Sequence, residues 1–133
     1  MYSDIVMDHF KNPRNIGMIE DANIVVKVGD PNCGDALLVF LKIADDRVQD
    51  VKYKIFGCGA AIAVASIASE MAKGRTLDEV LQITRESIAE ALDGLPAEKM
   101  HCSNLAASAF HAAVTEYRKA SPNPAQPGHP QES

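Results

Sequence analysis

The pattern of apolar residues changes period at Gly57-Cys58-Gly59. Before this point the apolar residues recur at strand spacing: Val51, Tyr53 and Ile55 alternate with Lys52 and Lys54. That places one face in a core and one in water. After it, Ala60 to Lys73 reads as a helix of small residues, with Gly74 as its terminating glycine. A chain that runs strands first and helices afterwards folds as an α+β domain, with the helices on one face of the sheet. The cysteine at the junction lies between two residues without side chains, so a large group can approach the backbone there. A thiol at a helix N-terminus also meets unpaired N–H groups, which favour the thiolate.

Two further strands precede the junction. Ile24 to Val28 is short and β-branched, and Leu37 to Ile43 is apolar almost throughout, as a central strand would be. Gly29 to Asp35 is a dense turn signal, and Asp45-Asp46-Arg47 a tight reversal, so the third strand runs from Val48 to Phe56. Short connections of this kind give a three-stranded antiparallel meander. Ser3 caps a first helix through Phe10, ended by Asn12-Pro13. Thr76-Leu77-Asp78-Glu79 matches a capping box, and Thr84 caps a helix over Glu86 to Leu92. The last helix spans about Ser103 to Lys119. Residues 1–120 form one domain; residues 121–133 carry proline, serine and glutamine with almost no apolar residue, and a disordered tail is expected there.

With 133 residues and no tryptophan, the core must be aliphatic and rich in alanine. Acidic residues outnumber basic ones 18 to 13, which argues against a nucleic-acid partner. The N-terminal residues lack the basic and apolar regions of a signal peptide, and no apolar run reaches the ~20 residues of a membrane span. A soluble, cytoplasmic protein is expected.

The chain has three cysteines, an odd number that reads as metal binding or thiol chemistry in a reducing compartment. Cys33 falls in the turn between two strands, Cys58 at the strand-to-helix junction and Cys102 at the start of the last helix. Cysteines that only pack usually lie inside elements. Asp35 follows Cys33 by two residues, and His101 precedes Cys102. Thiolates select zinc, copper(I) or iron–sulfur clusters, and tetrahedral zinc or a 2Fe-2S cluster takes four donors. With three cysteines, the fourth donor is Asp35 or His101. A hard oxygen on an iron–sulfur centre is a mismatch that makes the cluster easier to lose, which suits a protein that builds a cluster and gives it away. Without metal, the gathered thiolates and carboxylate would repel one another, so metal should raise the melting temperature. The other histidines, His9, His111 and His129, read as structural or solvent-exposed.

Four segments carry a resemblance: Pro31 to Asp35, Phe56 to Ala63, Lys73 to Glu79 and Leu95 to Ser103. In register along residues 1–120, they make the chain similar to the IscU/NifU-type iron–sulfur cluster assembly scaffolds. The resemblance implies a labile 2Fe-2S cluster assembled on Cys33, Cys58 and Cys102, with Asp35 or His101 completing the set. It implies sulfur delivered as persulfide by a cysteine desulfurase, Cys102 as the sulfur acceptor and Lys99 assisting it. It implies zinc as an alternative occupant, transfer to acceptor apoproteins, and a homodimer meeting at the site to form 4Fe-4S. Such a protein is a carrier, not an enzyme; the alternative is a zinc-dependent sulfurtransferase. That branch carries an insertion between the second and third cysteines, which this chain lacks. Where many members read Leu-Pro-Pro-Val-Lys, a docking sequence for a specialised Hsp70 chaperone, this chain reads Leu95-Pro96-Ala97-Glu98-Lys99. The lost proline makes an extended segment less stiff and speaks against a dedicated chaperone.

Overall fold

A computed structural model describes residues 2–30 and 35–120. The expected disorder of residues 121–133 lies outside the described residues. Helix α1 (Asp4–Lys11) precedes three strands, β1 (Ile24–Asp30), β2 (Asp35–Ala44) and β3 (Arg47–Phe56). Four helices follow: α2 (Gly59–Ala72), α3 (Leu77–Leu81), α4 (Arg85–Ala91) and α5 (Met100–Ala120). The strands form one antiparallel sheet in the order β1-β2-β3. The nearly continuous apolar strand, β2, is the central one.

Asp45 and Asp46 both have positive φ, 55° and 60°. Two such residues in succession form the tight turn whose twist matches that of the flanking strands, and aspartate tolerates it better than most residues. The turn fixes the register, which pairs Leu37 with Ile55, Val39 with Tyr53 and Leu41 with Val51. One irregularity at Lys42/Ile43 shifts the pairing before the turn. Leu37, Val39, Leu41, Val51 and Tyr53 are at most 1% exposed, so one face of the sheet is core. Helix α5 packs on β1 and β2, and α2 packs on β3 and against α1 and α5.

Nine of the fourteen residues of α2 are buried, and these are alanines, serines and one valine. Small side chains let neighbouring elements approach from several sides. Polar contacts hold α1 on this helix. The Ser66 Oγ accepts from the Arg14 N–H at 2.9 Å, so its own hydrogen is free for His9 Nδ1 at 2.7 Å. Asn15 Nδ2 donates to Ser69 Oγ at 2.9 Å. Ser3 caps α1 by accepting from the Val6 N–H, and its hydroxyl donates to the Leu92 carbonyl at the end of α4.

The capping box at Thr76 is present, as is Thr84 capping of α4, where Ser87 supplies the reciprocal bond. Gly74 follows α2 with φ 83°, in the left-handed region. Several boundaries differ from the sequence reading: β1 extends to Asp30 and β2 begins at Asp35, so Gly29, Asp30 and Asp35, read as turn residues, belong to strands. α5 begins at Met100, three residues before Ser103, and a 3-10 turn (Ala97–Lys99) leads into it. Residues 97–99 are therefore not extended. Ala97 has no ring to restrain it, and the Lys99 N–H closes the turn on the Pro96 carbonyl at 2.8 Å.

His9 is 6% exposed, and burial pulls its pKa below 6.5. Arg14 lowers it further, while Asp8 and Glu70 act in the opposite sense. The unfolded chain therefore binds a proton near pH 6.5 that the folded chain refuses. Stability is full above that pH and falls as pH drops from about 6.5 towards the lower folded value. Urea titrations between pH 7.5 and 5 should show this loss, and His9→Gln should flatten it.

Candidate functional site

Register brings the site together. The pair Ala36–Phe56 closes the β2–β3 ladder, so Asp35 and Gly57 lie side by side at the same end of the sheet. Cys58 follows as the N-cap residue of α2, with extended backbone at φ -77° and ψ 175°. Its sulfur makes no capping bond, which leaves it to face the neighbouring helix. The first turn of α5 supplies His101 and Cys102.

One oxygen of Asp35 and the sulfurs of Cys58 and Cys102 lie within 4.8 Å of one another. The two sulfurs are 3.9 Å apart, and Cys102 Sγ is 3.6 Å from Asp35 Oδ2. His101 Nε2 stands 3.4 Å from Cys102 Sγ and 3.5 Å from Asp35 Oδ2. Its Nδ1–H donates to the Glu98 carbonyl at 3.1 Å, which leaves the Nε2 lone pair directed at the thiol and carboxylate. A second-atom anchor of this kind is how a histidine ligand is held in one tautomer. Lys99 Nζ is 3.8 Å from Cys58 Sγ. The structure thus gathers Asp35, Cys58, Lys99, His101 and Cys102; Cys33 lies outside the described residues.

The groups differ in access. Asp35 is 5% exposed and Cys102 1%, whereas Cys58 is half-buried and the side chain of His101 is 34% exposed. Burial pushes the Cys102 thiol far above its ordinary pKa, and the negative charges of Cys58 and Asp35 push it the same way. Cys102 therefore keeps its proton in the metal-free protein, which relieves part of the repulsion among the gathered groups. A thiophilic metal must displace that proton. The Lys99 ammonium is held above its usual range, first by the negative charge of Cys58 and next by Tyr2. Two thiols, a carboxylate and an imidazole with one lone pair turned inward form a donor set suited to zinc or to an iron–sulfur cluster.

Family-model comparison matches residues 1–123 to the NifU-like N terminal domain. The chain belongs to that family. It is 58% identical over 117 residues to the iron-sulfur cluster assembly scaffold protein IscU 1 of Archaeoglobus fulgidus, covering 88% of this chain and 76% of that protein. It is 48% identical over 118 residues to the scaffold protein IscU of Aquifex aeolicus, covering 87% and 75%. It is 45% identical over 119 residues to the nitrogen fixation protein NifU of Azotobacter chroococcum, covering 88% of this chain but 38% of that longer protein. The crystal structure of the N-terminal part of a NifU-like protein from Brucella abortus superposes with a TM-score of 0.69 at 21% identity, over 87% of this chain and 93% of that one. At that identity the likeness bears on the fold alone. The IscU/NifU scaffold family and its α+β fold are thus common ground between the sequence motifs and the comparisons. Among the described residues, no helix is long and apolar enough to cross a membrane.

One positioning residue was not singled out for its true role. Gly57 reads in the sequence as room for a bound group, but the room is taken by Asp35. A Cβ on Gly57 would run into the Asp35 carboxylate, with the carboxyl carbon 2.9 Å away. The Phe10 ring fills the corresponding space over Gly59, with ring carbons 3.1 and 3.2 Å from where a Cβ would lie. The flanking glycines alone signalled a close approach; they did not say by what. Gly57→Ala should push the carboxylate away from both sulfurs and weaken zinc binding by about tenfold or more. Chelator competition measures the affinity, and an unchanged circular dichroism spectrum would confirm that the fold persists.

Proposed function

We propose that this chain is a scaffold on which a labile 2Fe-2S cluster is assembled and from which it is passed to acceptor apoproteins. The observation that carries the reading is the mixed donor set: two sulfurs and a carboxylate oxygen within 4.8 Å, with a histidine nitrogen beside them. Cys33, two residues before Asp35 in the sequence, supplies the third sulfur. Asp35 or His101 completes the set, and its harder donor atom makes the last bond the easiest to break. Both IscU relatives are named as scaffold proteins, which favours a carrier over a zinc-dependent sulfurtransferase. Iron and sulfur are the cargo here, and zinc takes the same ligands when iron is absent.

Sulfur arrives as persulfide from a cysteine desulfurase and comes to rest on Cys102, with Lys99 offsetting negative charge near Cys58. Two scaffolds meeting site to site would join their clusters into a 4Fe-4S form. No group in this scheme turns over as a catalyst; the protein holds, orients and releases.

Anaerobic reconstitution with ferrous iron and sulfide tests the reading. The expected result is the visible absorption of a 2Fe-2S cluster, with iron and sulfide in equal amounts. Tight zinc binding with no chromophore under the same conditions would overturn it in favour of the sulfurtransferase.

Asp35→Ala tests the role of the carboxylate. The variant should still assemble a cluster, but transfer to an apo-ferredoxin should slow by about tenfold, the usual scale for altering a metal site's surroundings. Transfer at the wild-type rate would show that the oxygen donor is not what makes the cluster mobile.

A further inference from the structure

One face of the sheet carries the core, and the other has a composition that contact with water does not explain. Leu37, Val39 and Leu41 are buried against the helices, so by the two-residue period of a strand Ala36, Leu38 and Phe40 lie on the opposite face. Register gives each a pair of neighbours there: Leu38 lies between Lys27 and Lys54, and Phe40 between Val25 and Lys52. Ala36 is paired with Phe56 in the next row. The outer face of an antiparallel sheet is ordinarily polar. Here the centre is apolar, and it runs out to Val25 at 47% exposure and Phe56 at 64%. Apolar surface rimmed by charge marks a place where another protein docks.

The sign of the rim selects the partner. Acidic residues outnumber basic ones 18 to 13 in the chain, yet these three rows contain three lysines and no acidic residue. Asp50, one row further on, is 3.6 Å from Lys73, and Lys42 opposite it is held by Asp21 at 2.9 Å. A second copy brought up by the same face would set lysine against lysine, whereas an acidic surface would complement it. Position indicates what the partner is for. The Ala36–Phe56 row closes the ladder, one residue from Asp35 and two from the half-buried Cys58. A protein seated on these rows reaches the rim of the donor set. We infer that the open face of the sheet is the docking surface for acidic acceptor apoproteins, whose carboxylates meet Lys27, Lys52 and Lys54 while an apolar side chain covers Phe56. The inference rests on the scaffold reading and names the surface across which the cluster leaves.

A carbodiimide, which joins lysine amines to carboxylates in contact with them, tests the surface directly. It is added to the full-length protein mixed with an acidic apo-ferredoxin, and the linked peptides are read by mass spectrometry. Cross-links to the ferredoxin should fall on Lys27, Lys52 and Lys54 and not on Lys11, Lys73 or Lys119. Cluster transfer is then followed at rising apo-ferredoxin concentration. The double variant Lys27→Glu/Lys54→Glu should raise the half-saturating ferredoxin concentration by about tenfold or more and leave the maximal rate within about twofold; Lys27→Arg/Lys54→Arg should behave as the wild type. Raising sodium chloride from about 50 to 500 mM should weaken transfer from the wild type far more than from the glutamate variant. The chromophore formed on the glutamate variant should match that of the wild type, since neither lysine belongs to the donor set. Cross-links confined to other lysines, cross-links that join two scaffold copies through these three, or wild-type half-saturation in the glutamate variant would overturn the docking surface and leave the scaffold reading standing. Absence of a chromophore in the wild type would remove both. The cross-link map decides the surface without relying on any variant to fold.

Discussion

The pairing of Ala36 with Phe56 is the constraint on which this structure turns. It sets the first residue of β2 beside the residue that follows β3, and so sets a carboxylate beside the backbone that leads to a cysteine. The turn at Asp45 and Asp46 holds the register from the opposite end of the hairpin. A slip of one residue would move Leu37, Val39 and Leu41 to the wrong face and separate Asp35 from Gly57 at the same stroke. Core and site are thus fixed by one ladder of hydrogen bonds, and the chain cannot lose one arrangement while retaining the other.

Around that ladder the site is assembled from parts of different character. The sheet provides Asp35, the cap of α2 provides Cys58, and the first turn of α5 provides His101 and Cys102. The environment grades them: a buried carboxylate and thiol at the back, a half-exposed thiol and a lysine towards solvent. The low-dielectric side favours neutral forms, and burial pushes the Cys102 thiol up, towards its protonated form. The open side favours approach. Such a gradient agrees with the scaffold role proposed above, in which the site would load and unload.

Much of this was legible in the residues. Alternation along β3, the apolar run of β2 and the capping residues Ser3, Thr76 and Thr84 each encode their structure locally, and each element lies close to where its pattern placed it, with ends shifted by a residue or two. The start of α5 was placed too late, because the 3-10 turn at Ala97 that leads into it leaves no periodic trace. The burial of Cys102 was invisible for a different reason. It depends on how α5 lies against β1 and β2, a relation between elements distant in the chain. The same holds for the role of Gly57, since a glycine announces space but the occupant comes from another strand. His9 read as bland and is in fact hydrogen-bonded deep against Ser66, a contact across 57 residues that no local pattern contains.

Helix α2 is clothed mostly in methyl groups, with no broad greasy stripe to tell it which side belongs inward. Such a cylinder could roll about its axis with little change in buried area, and each residue of roll would swing its end by about 100°. What fixes its phase is a set of polar pins, with His9 and the Arg14 amide on Ser66 and Asn15 on Ser69. The aim of the sulfur at the front of the helix is therefore keyed two turns further back, by groups outside the site.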